Sequence, residues 1–244
     1  MGINISATNF VTLDHTHQRR VDTSLEGNPT FSKIGDVHVH HIFRRNNDGD
    51  KDRDGNPLIK AMKGMGQFQI IPMYRIQIMN RAREILENFA GDLDIDAIMP
   101  MPSSYQFAGE VAQLVCHVTQ KELIEPSFIR KRTVGEMLDE YDGHVPNNLN
   151  KKRAKMFKDQ LYDWRIAHQS APGQLVTMKR IEPKIRYCFQ PLALADGVPD
   201  IAGKKVLVVD DLMSSGSSIR SVSSVLIQGT GCAVKSAVCF LSGL

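Results

Sequence analysis

The sequence predicts an α/β protein built on a parallel sheet, and three stretches carry that expectation. Residues 206–209, Val-Leu-Val-Val, form a continuous aliphatic run bounded by Lys205 and Asp210, the composition of a strand buried on both faces. Ile219, Val222, Val225 and Leu226 then recur at intervals of three and four, which marks one face of a helix. Residues 96–101 and 232–241 repeat the short apolar run, and the first is followed by a second helical face at Ala108, Val111, Ala112, Val115 and Val118. Strands alternating with helices in this way are the pattern of βα units over a parallel sheet.

The other elements follow in order. Residues 1–35 show no clean periodicity, and Glu26, Gly27, Asn28 and Pro29 read as a turn. Residues 36–44 alternate as a strand, with a polar loop over 46–56. His38, His40 and His41 place two imidazoles on one strand face, but no carboxylate or Cys partner is specified, so they read as strand histidines and not as a metal site. Asp50, Asp52, Asp54 and Gly55 imitate the start of a calcium loop. The twelfth position is Ala61 and not Glu, so the bidentate ligand is missing and a solvated loop is expected.

Residues 58–66 lead into a helix predicted over 74–90, where Met79, Ala82, Leu86 and Phe89 share a face and Gly91 supplies the stop. A helix over 150–169 follows from Met156, Phe157, Gln160, Leu161, Trp164 and Ala167 on one side. Its start is crowded with Lys151, Lys152, Arg153, Lys155 and Lys158, cations that the helix dipole favours at the other end. Residues 184–194 predict one more strand.

A chain of 244 residues with 42% apolar and 23% charged side chains fits one soluble domain with elaborations. No run of eighteen apolar residues suggests a membrane span, and the first twenty residues lack a basic segment followed by an apolar core, so a cytoplasmic protein without a secretory signal is expected. Cys116, Cys188, Cys232 and Cys239 are scattered in apolar surroundings and read as reduced thiols. The net charge of +3 is uneven: residues 129–186 hold thirteen Lys or Arg against seven Asp or Glu, a surface that could face a phosphorylated ligand, nucleic acid or water.

The chemistry concentrates in residues 204–220. Asp210 and Asp211 close the central strand, and Ser214, Ser215, Gly216, Ser217 and Ser218 turn the chain into the following helix. Small residues at a helix start let the backbone aim N–H groups at one spot, which makes an anion cradle. Two carboxylates beside such a cradle would repel a bare phosphate, so the ligand must offer them something else. Ribose hydroxyls donate hydrogen bonds to carboxylates, and the stretch therefore describes a sugar-phosphate pocket. Ser214 to Ser218 hold the phosphate, while Asp210 and Asp211 hold the 2- and 3-hydroxyls or a hydrated Mg²⁺. An ordinary strand–turn–helix corner would explain the turn but not the paired acids with a full hydroxyl-rich loop.

Four apolar residues, two acids, two variable residues and a hydroxyl-rich Gly loop resemble the phosphoribosyl pyrophosphate (PRPP) motif of type I phosphoribosyltransferases, with every position filled. The resemblance implies a Rossmann-like parallel-sheet core with an N-terminal hood: arm and hood over residues 1–90, core over 91–244 and a basic insertion around 137–170. It implies a pyrophosphate loop at Ser103, Ser104 and Tyr105. It also makes Arg130, Lys131 and Arg132 candidates for a mobile loop that closes over the pyrophosphate. The implied reaction is Mg²⁺-dependent transfer of the phosphoribosyl group from PRPP to a nitrogen acceptor that the sequence leaves unidentified.

The order of parts looks most like the ComF-type family. The matching pieces are LIKAMKG, DAIMPMPSS, RKRT with its basic helix, and an end soon after the last strand. That family's paired-Cys zinc module has no counterpart before Cys116, so no zinc is expected. Two rival readings stand beside the transferase. One is a PRPP-binding regulator, competence or defence component acting with nucleic acid through the basic stretch. The other is a nucleotide or nucleoside hydrolase using the same ribose grip. An oligomer is left open, and a membrane partner is not expected.

Overall fold

The structure, a computed structural model, describes residues 1–46 and 56–243. The acidic loop bearing Asp50, Asp52 and Asp54 lies outside the described residues. The first part of the chain forms β1 (Gly2–Ile5), β2 (Phe10–Asp14), β3 (Val21–Asp22), β4 (Thr30–Ile34), β5 (Val37–Arg45), α1 (Asn56–Met62), β6 (Gln69–Ile70) and α2 (Pro72–Glu87). The middle forms β7 (Ala97–Pro100), α3 (Phe107–Thr119), β8 (Glu122–Leu123), β9 (Ile129–Lys131), α4 (Val134–Tyr141) and α5 (Lys151–Ser170). β10 (Leu192–Leu194), β11 (Val206–Leu212), α6 (Ser217–Thr230) and β12 (Ser236–Leu241) complete it.

Five strands run parallel in the order β5-β12-β11-β7-β8, with β3 and β4 antiparallel on the outer edge of β5. The aliphatic run over 206–209 is buried on both faces, as its composition predicts. Because successive strand side chains point to opposite faces, Leu207 and Val209 join Phe107, Val111 and Val115 of α3 in one core, with α1 and α2. Val206 and Val208 join Ile219, Val222 and Leu226 of α6 in another. The helices that follow β7 and β11 thus leave the sheet on opposite sides.

The N-terminal arm is more structured than its pattern suggests. β1 pairs with β2, β2 pairs with β6, and Ile3, Val11 and Leu13 enter the core on the α3 side. The strand expected over residues 36–44 is present and lies beside β12 inside the main sheet. Residues 184–194 do not form one strand. Pro183–Cys188 is a 3₁₀ helix, and only Leu192–Leu194 is extended, paired with β9 in a separate ribbon. The proline fixes φ and lacks an N–H, which suits it to the first turn of a helix and not to a sheet ladder.

α4, α5 and the 3₁₀ segments between α5 and β10 have their own core of Val134, Met137, Phe157, Leu161, Trp164, Ile181, Ile185 and Phe189. Phe157 stacks on Phe189 at 4.7 Å between centroids, and Trp164 meets the same ring edge-on at 4.9 Å.

Candidate active site

β7 and β11 are adjacent and parallel, with Val209 opposite Pro100, and Met101 N–H donates to the Val209 carbonyl at 2.7 Å. The loop after β7 and the loop after β11 therefore emerge side by side at the carboxyl edge of the sheet. Since α3 and α6 diverge to opposite faces there, a crevice opens between them, the place where open α/β sheets bind ligands.

Each loop ends at a helix start without a side-chain cap. Ser103, Ser104 and Tyr105 are exposed, and Tyr105 N–H donates to Ser103 Oγ at 3.1 Å. In the other loop Ser214 and Ser215 are exposed, and the Ser215 and Ser217 hydroxyls share a hydrogen bond at 2.9 Å. Gly216 turns the chain with φ 68°, and a Cβ there would lie 2.3 Å from Ile34 Cδ1. The tip of the β4–β5 hairpin thus packs directly under the loop. Two sets of backbone donors, each at the positive end of a helix, face one crevice.

Asp210 and Asp211 sit between them at the end of β11. Asp210 Oδ1 accepts from the Asp211 N–H at 2.8 Å. Burial, and then the neighbouring Asp211 charge, push the Asp210 carboxyl well above the usual carboxylate range, to about 7. Strand alternation turns the two acids to opposite sides, and Asp211 meets Lys63 from the end of α1, with Nζ 2.5 Å from Oδ2. The Lys63 ammonium also lies 5.6 Å from the centre of the Tyr105 ring.

The basic segment is differently engaged. Arg130 makes a two-pronged pair with Glu136, and Arg132 pairs with Glu140, so both guanidiniums are held by α4, while Lys131 is exposed. Glu136 is further fixed by a capping box with Thr133. The Arg130 hydrogen bond, then the Thr133 N–H, hold its carboxyl down at about 2. The ribbon carrying these residues touches α6 at Gly229, where a Cβ would lie 2.3 Å from Leu194. The chain just before β10 also reaches the first part of α6, where Gln190 Nε2 donates to the Ser221 carbonyl at 3.0 Å. The loops of the crevice are assembled by the sheet, while Arg130 and Arg132 are held by the acids of α4.

Hard oxygen donors such as Asp210 and Asp211 suit Mg²⁺, yet among the described residues no three His, Cys, Asp or Glu side chains gather to hold a metal. His40 instead stacks on Phe89 at 5.0 Å, and His41 Nε2 shares a hydrogen bond with Ser32 Oγ at 2.8 Å. All four cysteines are unpaired. No described helix is long and apolar enough to cross a membrane.

A doubly covered parallel sheet with paired acids at a strand end between two uncapped helix starts is the architecture of the type I phosphoribosyltransferase class. Residues 66–243 match the family model of the phosphoribosyl transferase domain, and the chain belongs to that family. No curated protein matches the chain. Among solved structures it is similar to the adenine phosphoribosyltransferase of Leishmania tarentolae, with 10% identity over 99% of this chain and 94% of that one at a TM-score of 0.36.

Sequence reasoning did not single out Lys63. Its signal was present in LIKAMKG, but nothing in the spacing distinguishes Lys63 from Lys60, which instead lies over the Phe68 ring at 5.3 Å.

Proposed function

We propose that the protein grips PRPP at the crevice and transfers its phosphoribosyl group to a nitrogen nucleophile with release of pyrophosphate. The observation that carries this reading is the pair of uncapped helix starts flanking Asp210 and Asp211 at adjacent strand ends. In this assignment the N–H groups and hydroxyls of Ser214 to Ser218 hold the 5-phosphate, and Asp210 and Asp211 accept from the ribose hydroxyls. Ser103, Ser104 and Tyr105 offer their backbone donors to the pyrophosphate. Bound Mg²⁺ would neutralise diphosphate charge, held through its waters by the acids and by the ligand's own phosphate oxygens.

The chain's share of catalysis is orientation and electrostatics. Carboxylates fixed beside the ribose support the positive charge that develops at C1, and preorganised donors at the helix starts stabilise the departing diphosphate. The order of parts from LIKAMKG to the last strand supports a ComF-type subgroup, and the elements before α2 are the natural source of acceptor contacts. A second reading, a PRPP-responsive protein acting with nucleic acid, is favoured by Lys151, Lys152, Lys155 and Lys158, all exposed on α5 with Tyr162 beside them.

Asp210→Asn combined with Asp211→Asn is expected to fold with the wild-type circular dichroism spectrum and to lose at least a hundredfold of pyrophosphate release from PRPP. Undiminished release by the folded double variant would remove both acids from the site. Free base produced from nucleotides without PRPP would instead indicate a hydrolase.

A further inference from the structure

We propose that Lys63 is the cation for the pyrophosphate half of the ligand, passed from Asp211 to the diphosphate as ribose hydroxyls or a hydrated cation take over the carboxylate; this rests on the phosphoribosyl reading above. Lys63 lies before residues 66–243, so the family match assigns it nothing.

The geometry is that of a built position. The side chains of Lys63 and Asp211 are only 15% and 8% exposed, and the ammonium bridges an acid at the end of β11 to the aromatic ring of the loop after β7. Its backbone is held from several directions. Lys63 N–H closes α1 on the Ile59 carbonyl at 3.0 Å, Met65 N–H returns to Lys60 at 2.7 Å, and Gly64 turns away with φ 64°. The preceding carbonyl, on Met62, accepts from Arg75 at 2.7 Å, and Arg75 is salt-bridged to Glu110 in the first turn of α3. Lys63 is thereby tied to the helix whose start carries Ser103 to Tyr105.

Three properties then decide the chemistry. An ammonium is a compact charge with three donors on a flexible stem, so it can exchange one anion for another without rebuilding the site. Once other groups engage Asp211, a cation this sheltered needs a new counter-ion, because an unpaired charge out of water is strongly disfavoured. The loop within its reach is the one assigned to pyrophosphate, whereas Arg130 and Arg132 already hold Glu136 and Glu140.

The test is calorimetric titration of Mg²⁺ with inorganic pyrophosphate, and separately with ribose 5-phosphate, into wild type, Lys63→Met and Lys63→Arg. Lys63→Met is expected to weaken pyrophosphate binding at least tenfold and ribose 5-phosphate binding less than threefold, with Lys63→Arg recovering most of the loss. Because Lys63→Met strands the Asp211 charge, a second pair avoids that burden. Asp211→Asn with Lys63→Met should bind pyrophosphate at least tenfold more weakly than Asp211→Asn alone. Equal pyrophosphate affinity within that pair, or Lys63→Met losing both ligands alike, would overturn the proposal while leaving the phosphoribosyl reading intact. Wild type binding neither ligand would overturn both.

Discussion

Gly216 carries two constraints at once, a left-handed backbone and the close approach of Ile34, and both act where the phosphate cradle turns. Gly216→Ala should cost about 1–3 kcal/mol in urea denaturation, because a Cβ is strained at this φ and Ile34 must shift. It should also weaken ribose 5-phosphate binding. That a glycine belongs here was legible from the small-residue loop, but its neighbour was not, since Ile34 lies in an arm without periodicity. The same limit hid Lys63. Asp210 and Asp211 announce themselves as neighbours in the chain, whereas the half-buried counter-ion of Asp211 arrives from the end of α1 through tertiary packing.

At the scale of elements, periodicity found the four longer helices and missed the short α1 and α4, and α5 shows what it reads. Phe157, Gln160, Leu161 and Trp164 are buried as their spacing requires, and Asn150 caps the helix by accepting from Arg153 N–H at 3.0 Å. Phe157→Ala should destabilise the α4–α5 unit by about 3–5 kcal/mol, since it removes a fully buried ring from an aromatic stack. The protein has a single tryptophan, and Trp164 sits in that stack, so its fluorescence follows this unit's unfolding. A wild-type denaturation midpoint in the variant would show that the stack contributes nothing. Short strands were harder to read. β1 through β4 span two to five residues each, and their pairing depends on distant partners that local patterns do not contain. The basic run at 130–132 was legible as charge, but its engagement by Glu136 and Glu140 was not, because a charge pattern does not specify partners.

For the whole molecule, the parallel sheet could be inferred from its aliphatic strands, while the place of β5 within it could not. That strand brings His41 into the sheet beside Cys239 of β12. Only 2% of His41 is exposed, and burial, then the His40 charge, pull its pKa from 6.5 down to about 4. Above about pH 6.5 both folded and unfolded states hold the ring neutral; between there and about pH 4 only the unfolded chain takes up the proton. His41 should therefore remove stability on the order of 3 kcal/mol as pH falls through that window. His41→Gln should flatten the difference in stability between pH 6.5 and 4, and an unchanged pH profile would show that His41 titrates normally.

The central claim is that adjacent strand ends form one pocket for a phosphoribosyl diphosphate. Its most direct measurement is calorimetric binding of PRPP with Mg²⁺ to wild type and to the Asp210→Asn, Asp211→Asn double variant. One site per chain, weakened at least a hundredfold by the two substitutions, is the predicted result. No binding to wild type at millimolar PRPP, or equal binding to a folded double variant, would contradict it.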